Sequence, residues 1–202
     1  MVRPHPLGTA EPADFFGGRG QKICLATGAG QASLKDPIMT NTLYDALPDA
    51  LKSIRTRPLF TMRLEVKGPV VVGPTPGASR RVGLVTGGVF EGERLSGQVL
   101  DGGADWQAVR SDGATSLDVR LLLRTRDDAM IAMTYRGLRY GAPEVVARME
   151  KGEIVPPEAL YFRIAPLFET AAPQYDWLNR VLAVGAGHRF PDGPVYSIFE
   201  VL

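Results

Sequence analysis

Asp105 and Trp106 form an acid–aromatic pair directly after two adjacent glycines, in the segment GGADW. At the mouth of a strand, Asp105 could act as a general base or accept a hydrogen bond from a ligand. Trp106 could then form one wall of a binding pocket. The same residues also fit a structural interpretation, in which Asp105 caps a turn and Trp106 fills the core.

Tyr135 is a second candidate, because it shares the strand parity of the apolar residues Ile131 and Met133. Side chains alternate between the two faces of a strand, so Tyr135 is predicted to point inward with them. A phenol in an apolar pocket can donate a hydrogen bond to a carbonyl oxygen or act as a general acid. Alternatively, Tyr135 is a packed core residue whose hydroxyl is satisfied by the backbone.

Tyr161 and Arg163 are predicted to lie side by side on one face of the strand in LYFRIAPLFE. Together they could bind a carboxylate or an enolate, Arg163 through its forked guanidinium and Tyr161 through one hydrogen bond. Glu169, at the end of the same segment, could move a proton. Its alternative role is a structural ion pair with Arg163.

Arg120 alternates with the apolar residues of segment 117–123 and is predicted to lie on the opposite face of its strand. If the apolar face lines the interior, Arg120 points to solvent, whereas a ligand cavity on the other face would require a carboxylate partner. Trp177, in the segment YDWLNR, is predicted to lie in a loop or helical turn. That turn either covers the mouth of a barrel or plugs one of its ends.

The elements that must position these residues are short strands. From Arg57 onward, apolar and polar residues alternate with a period of two, and Gly and Pro mark the turns between the segments. The pattern predicts about eight strands, with helices only in short pieces. Because sheets of this kind avoid exposed edges by closing or doubling over, we predict a mainly β chain folded as a closed antiparallel β-barrel.

The first part of the chain differs from the rest. Residues 1–38 are rich in Gly, Ala and Pro and have no sustained period, which predicts a flexible, poorly ordered arm. The segment 41–54 predicts a short helix that Pro48 breaks into pieces, and another short helix is predicted from Pro143. We therefore divide the chain into an N-terminal extension, 1–56, and a barrel domain, 57–202.

Composition argues against several classes of function. The formal net charge of +1 gives no overall attraction for nucleic acid or an anionic membrane, and no apolar run is long enough to span a bilayer. With two histidines and one cysteine, neither a metal site nor an internal disulfide is expected. The sequence also lacks the motifs of nucleotide loops and of serine hydrolases. We expect a cytoplasmic protein that works without a cofactor.

The order of motifs from residue 97 onward resembles the uncharacterised family called domain of unknown function 3237, which is UPF0311-like. The matching residues are Gly102, Gly103, Asp105, Trp106, Asp112, Gly113, Arg120, Tyr135, Gly137, Tyr161, Phe162, Arg163, Phe168, Glu169, Thr170, Trp177, Leu178 and Asn179. The resemblance covers 57–201. It implies a barrel similar to that of allene oxide cyclase and the dirigent proteins, with strands around an apolar cavity. It implies no reaction, because the chemistry of the family is largely unassigned.

Two hypotheses about function follow. The first is a cofactor-independent isomerase, cyclase or hydratase/lyase acting on a small molecule with a carbonyl or carboxylate group. In it, Tyr135 and Arg163 stabilise developing negative charge, and Asp105 or Glu169 moves a proton. The candidate ligand-binding residues are Trp106, Arg120, Tyr161 and Trp177.

The second hypothesis is a non-catalytic carrier of a small apolar ligand. The two differ in the interior that they predict. An enzyme requires a carboxylate and a cationic or phenolic group to converge in one cavity, whereas a carrier requires an almost purely apolar interior. In either case the partner is a small molecule, and the barrels that this chain resembles make a homo-oligomer plausible.

Overall fold

Nine strands and several short helices make up residues 42–202, which are the residues that the computed structural model describes. The strands are β1 (Thr56–Pro74), β2 (Ser79–Glu91), β3 (Gly97–Val99), β4 (Gly103–Val109), β5 (Thr115–Thr125), β6 (Met130–Gly141), β7 (Leu160–Glu169), β8 (Ala183–Phe190) and β9 (Gly193–Val201). The helices are α1 (Thr42–Asp45), α2 (Pro143–Glu150) and the 3-10 helices Asp49–Leu51, Pro157–Ala159 and Pro173–Arg180. The arm predicted over 1–38 lies outside the described residues. Within them, no helix has the length and apolar character that a membrane crossing needs.

The strands form one antiparallel sheet whose pairings return to their starting point. From β1 the ring runs through β9, β8, β7 and β6 to β5. Strand β5 then pairs with both β3 and β4, and each of these pairs with β2, which pairs again with β1. The predicted closed antiparallel barrel is therefore confirmed. Gly103–Val109, over which the sequence analysis predicted no strand, forms the additional strand β4.

Alternation decides which side chains fill the barrel. On β5 the apolar residues from Leu117 to Leu123 are buried at every second position, while Asp118, Arg120 and Arg124 are exposed. The prediction that Arg120 lies opposite this apolar face is confirmed. Burial of such apolar side chains, worth about 1.5–3 kcal/mol each, is the main source of the barrel's stability.

One end of the barrel is packed with aromatic rings, and we call it the aromatic end. The ring centroid of Phe60 lies 5.3 Å from that of Phe90 and 5.9 Å from that of Phe168. Leu178, from the 3-10 helix Pro173–Arg180, is fully buried against this cluster. Aromatic pairs at these separations contribute beyond simple area burial. This end is therefore closed by side chains.

The short helices follow the proline positions. In the predicted helical segment, α1 ends at Asp45 and a separate 3-10 helix begins at Asp49, directly after Pro48. Proline lacks a backbone N–H and clashes with the preceding turn, so it favours two pieces over one continuous helix. Helix α2 begins with Pro143 at its first position, as predicted.

Gly187 makes room for an aromatic ring inside the barrel. A Cβ atom at this position on β8 would lie 2.9 Å from the Phe162 ring. We expect Gly187→Ala to lower the free energy of unfolding by about 1–3 kcal/mol, because the packed ring must move. Urea unfolding measures the change, and Gly77→Ala is the control, since a Cβ there meets nothing within 4 Å. Equal stability of the two variants would contradict the packing argument.

Candidate functional site

The end of the barrel opposite the aromatic end contains a cavity of about 370 Å³, and we call it the polar end. Its walls come from β1, the end of α2 and the β8–β9 hairpin, and its floor comes from β2, β4 and β6. The lining residues are Val66, Lys67, Gly68, Pro69, Arg81, Gly83, Gln107, Arg139, Met149, Glu150, Gly152, Arg189, Phe190 and Pro191. A cavity of this size accommodates a small organic molecule.

Asp105 lies beside the floor of this cavity. It is opposite Gly83 in the β2–β4 pairing and two residues from Gln107, and both of those residues line the cavity. Burial raises the pKa of Asp105 from 3.8 to about 6, while the Gln107 amide and the charges of Arg139 and Arg81 lower it less strongly. The buried Oδ1 atom has no hydrogen-bond partner among the described residues. Asp105 is thus a carboxyl group that can gain and lose a proton near neutral pH.

A chain of polar contacts fixes the other oxygen of Asp105. Gln107 Nε2 donates to Asp105 Oδ2 at 2.7 Å, and Arg81 Nε donates to Gln107 Oε1 at 2.7 Å. Arg81 Nη2 in turn donates to Glu150 Oε1 at 2.9 Å, which connects the chain to the end of α2. The carboxylate is therefore held in position by residues of three different elements.

Arg139 is buried in the polar end, with only 8% of its surface exposed. It follows Tyr135 and Gly137 on the inward face of β6, and its guanidinium carbon lies 5.7 Å from the centroid of the Phe162 ring. Within residues 42–202 it forms neither a side-chain hydrogen bond nor an ion pair. Burial is the main factor that lowers the pKa of Arg139, although an arginine remains charged at neutral pH.

Tyr135 and Tyr196 lie below the cavity with their ring centroids 5.7 Å apart. Both side chains are buried, and burial raises the pKa of each phenol well above its ordinary value of 10. The negative charge of Asp105 raises both pKa values further. The phenols therefore stay protonated, so that each can donate a hydrogen bond but neither can serve as a base at neutral pH.

The polar end thus combines three chemical functions. Asp105 can exchange a proton, Arg139 can bind a negative charge, and the two protonated phenols form a polar pair below the cavity. The described residues contain no cluster of His, Cys, Asp or Glu that could hold a metal ion. These side chains include the groups that proton transfer requires, a carboxyl group that can ionise and a nearby cation.

A family model described as "Protein of unknown function (DUF3237)" matches residues 54–201. The chain belongs to this family. A UPF0311 protein of Rhodopseudomonas palustris is 34% identical over 150 residues, which are 74% of this chain and 98% of that protein. The crystal structure of the conserved protein of unknown function RPA1785 from the same species is also 34% identical, with a TM-score of 0.72, and the match covers 74% of this chain and 99% of that chain.

Two further relatives of this DUF3237 chain are informative. A "beta-barrel like protein" of Acinetobacter baumannii, known from its crystal structure, is 36% identical with a TM-score of 0.65, and the match covers 74% of this chain and 97% of that one. A protein of Penicillium herquei named as a hydroalkoxylation enzyme is 28% identical over 128 residues, which are 63% of this chain and 70% of that protein. The first supports the barrel architecture, and the second is a distant relative with a named activity.

Of the eight site residues predicted from sequence, the DUF3237 barrel brings Asp105 and Tyr135 together at its polar end. Trp106 does not join them. It lies on the outer surface of β4 and is 57% exposed. The prediction that Trp106 fills the core is wrong, and Trp106 does not line the cavity at the polar end. The reason is that GADWQAV is a strand, so Asp105 and its neighbour point to opposite faces.

The three candidates on β7 lie away from the polar end's interior. Tyr161 and Arg163 share the outer face, where Tyr161 stacks on Tyr140 at 4.9 Å and Arg163 Nη1 donates to the Phe162 carbonyl at 2.9 Å. Glu169 is exposed at the last residue of the strand. The alternative Arg163–Glu169 ion pair is also wrong, because no such contact forms in the described residues.

Arg120 and Trp177 occupy two other places. Arg120 lines a larger and more apolar cavity of about 680 Å³ on the outer surface, together with Leu167 and Leu182. Trp177 packs partly buried at the aromatic end, where the guanidinium carbon of Arg94 lies 4.0 Å from its ring centroid. Trp177 therefore plugs one end of the barrel, which was one of its two predicted positions. The cavity that Arg120 lines has no buried carboxyl group among its lining residues. For this reason we place the candidate site at the polar end.

Sequence analysis missed Arg139, Gln107 and Tyr196. Strand parity alone could have found Arg139, because it lies four residues after Tyr135 and hence on the same inward face. Gln107 was missed because no strand was predicted over Gly103–Val109. Tyr196 could be identified only from the order in which the strands pair, because β9 and β6, which carry Tyr196 and Tyr135, are not adjacent in the DUF3237 barrel.

Proposed function

We propose that this protein is an enzyme that moves a proton on a small organic molecule without a cofactor, as an isomerase, cyclase or hydratase/lyase. The observation that carries the proposal is the position of the buried Asp105 carboxyl group beside the floor of a cavity that Arg139 lines without an ion pair among the described residues. Burial raises the pKa of Asp105 to about 6. A general base works best when its pKa is close to the working pH. An ordinary surface aspartate would be a much weaker base.

Each side chain has a distinct part in this proposal. Asp105 removes a proton from an O–H or an activated C–H group of the substrate and returns it at another atom. Arg139 stabilises the negative charge that forms when the proton leaves. Tyr135 and Tyr196, which stay protonated, keep the inner wall polar without competing as bases. Gln107 and Arg81 are positioning residues that hold the Asp105 carboxylate.

The distant relative named as a hydroalkoxylation enzyme is consistent with this chemistry. Hydroalkoxylation adds the O–H of an alcohol across a carbon–carbon double bond, so one C–O bond and one C–H bond form. The reaction needs a proton to leave oxygen and a proton to reach carbon, with no change in overall oxidation state. A carboxyl group with a pKa near neutrality can accept the proton from oxygen as a base and, once protonated, can deliver a proton to carbon as an acid.

The convergence of polar groups favours an enzyme over a carrier. A carrier of an apolar ligand would have an almost purely apolar interior, with its ionisable groups paired at the outside. Here a carboxyl group, a guanidinium group and two phenols meet at the polar end, and Arg139 has no ion pair in the described chain. Such an arrangement reduces stability, and a carrier gains nothing from it.

The proposal is tested with a panel of small phenols that carry an alkenyl side chain and of unsaturated ketones, with products followed by NMR. We expect cyclised or isomerised product above the buffer background with the wild-type protein. Asp105→Asn is expected to slow turnover by about 100-fold or more, because the base is lost. Asp118→Asn, an exposed carboxylate on neighbouring β5, is the control and should leave the rate unchanged. Full turnover by Asp105→Asn would remove Asp105 from the reaction.

A further inference from the structure

We infer that the polar end binds its ligand as an organic oxyanion, a carboxylate or an ionised hydroxyl, seated on the guanidinium of Arg139. This inference deepens the proposed function and rests on the same cavity. It identifies the class of substrate that the site selects. It also assigns a binding role to a residue that sequence motifs did not reveal.

The first argument is the state of Arg139 in the described structure. A guanidinium group that is more than nine-tenths buried normally has a carboxylate partner or several hydrogen bonds, because an unpaired buried charge is costly. Arg139 has neither within residues 42–202, and it lines the cavity. The N–H donors of its guanidinium group that face the cavity are therefore available to a group that enters it.

The second argument is the balance of charge around the cavity. Four cations line it, namely Lys67, Arg81, Arg139 and Arg189, and Glu150 is the acidic residue among the lining residues. Among the described residues, Arg81 is the one of the four that has an ion pair, and its partner is Glu150. The remaining three cations outnumber Asp105, the carboxyl group beside the cavity floor. The field in the cavity therefore favours an anion over a neutral ligand.

The third argument is the geometry of a carboxylate on arginine. The forked guanidinium matches two oxygen atoms of a carboxylate, which makes this pair stronger than a neutral hydrogen bond. The whole cavity has a volume of about 370 Å³, so a ligand with its anion on Arg139 can extend towards Gln107 and Gly83, which lie beside Asp105. One or two fused rings fit that space. Seating the anion thus also orients the reacting atoms.

The experiment uses benzoate and 2-naphthoate as anionic probes and 2-naphthamide as the neutral counterpart, with binding measured by ligand-observed NMR. We expect 2-naphthoate to bind at least about tenfold more tightly than 2-naphthamide. In Arg139→Met this preference should disappear while the affinity for 2-naphthamide stays within about twofold. Arg136→Met, on the outer face of the same strand, is the matched control and should keep the preference.

A second measurement needs no variant and therefore does not depend on whether Arg139→Met folds. The Arg139 side-chain N–H signal of the wild-type protein should shift with 2-naphthoate and stay in place with 2-naphthamide. The inference is overturned if neither carboxylate binds, if the amide binds equally well, or if the Arg139 signal does not respond. Asp105→Asn should still bind 2-naphthoate, so loss of proton transfer and loss of anion binding can be told apart.

Discussion

Asp105→Asn is expected to stabilise the protein by about 3 kcal/mol at about pH 8, and to have little effect near pH 4. The folded protein holds the pKa of Asp105 at about 6, against 3.8 for an ordinary aspartate. Because the folded state binds the proton more tightly, the contribution of Asp105 to stability is complete below about pH 4. It is lost as the pH rises through about 6, where the buried carboxyl group must ionise.

Urea unfolding of wild-type protein and variant across this pH range measures the difference directly. Asparagine carries no charge, so its own contribution does not change with pH, and other titrating groups cancel between the two proteins. Asp118→Asn is the control, because this side chain is exposed on the outer face of β5. A stability difference for Asp105→Asn that stays constant with pH would contradict the raised pKa.

The rate of the proposed reaction is expected to fall by about 100-fold between about pH 7 and pH 4. Only the ionised form of Asp105 can accept a proton, and its pKa of about 6 sets the position of the decline. Below that pH, kcat/KM should decrease tenfold for each unit of pH. Steady-state rates on whichever member of the substrate panel reacts provide the measurement.

The variant Gln107→Leu tests whether the loss of rate at low pH comes from protonation of Asp105 or from a general effect of acid on the protein. The Gln107 amide is the strongest of the groups that lower the pKa of Asp105. Its removal should therefore move the decline in kcat/KM to higher pH. Gln98→Leu, at an exposed position on β3, should leave the profile in place. An unshifted profile in Gln107→Leu would mean that another group controls the rate.

The barrel could be predicted because alternation is a local signal that repeats in almost every segment. The inward face of β5, the strand at Leu160–Glu169 and the helix at Pro143 all follow from residues close together in the sequence. The strand β4 did not, because Gly102 and Gly103 at its start and the acid that follows them also fit a turn. That single error placed Trp106 in the interior.

The candidate site was harder to predict, because its members lie on different strands. Asp105 and Tyr135 were identified from residue type and parity, but Arg163 was preferred to Arg139 as the cation. Both arginines occur on strands, and their types alone do not distinguish them. The distinction is whether the side chain shares the parity of the apolar face: Arg139 does, whereas Arg163 alternates with Phe162 and Ile164.

The two ends of the barrel differ in what they can tolerate. The packed aromatic rings around Phe60 stabilise the barrel at one end. The protein can therefore retain charged residues at the other end, although they lower its stability. The cavity walls at that charged end come from β1, α2 and a hairpin, and changes there need not disturb the ring of strands. Related barrels can therefore acquire new ligands by altering the rim alone, and divergence within the family should concentrate there.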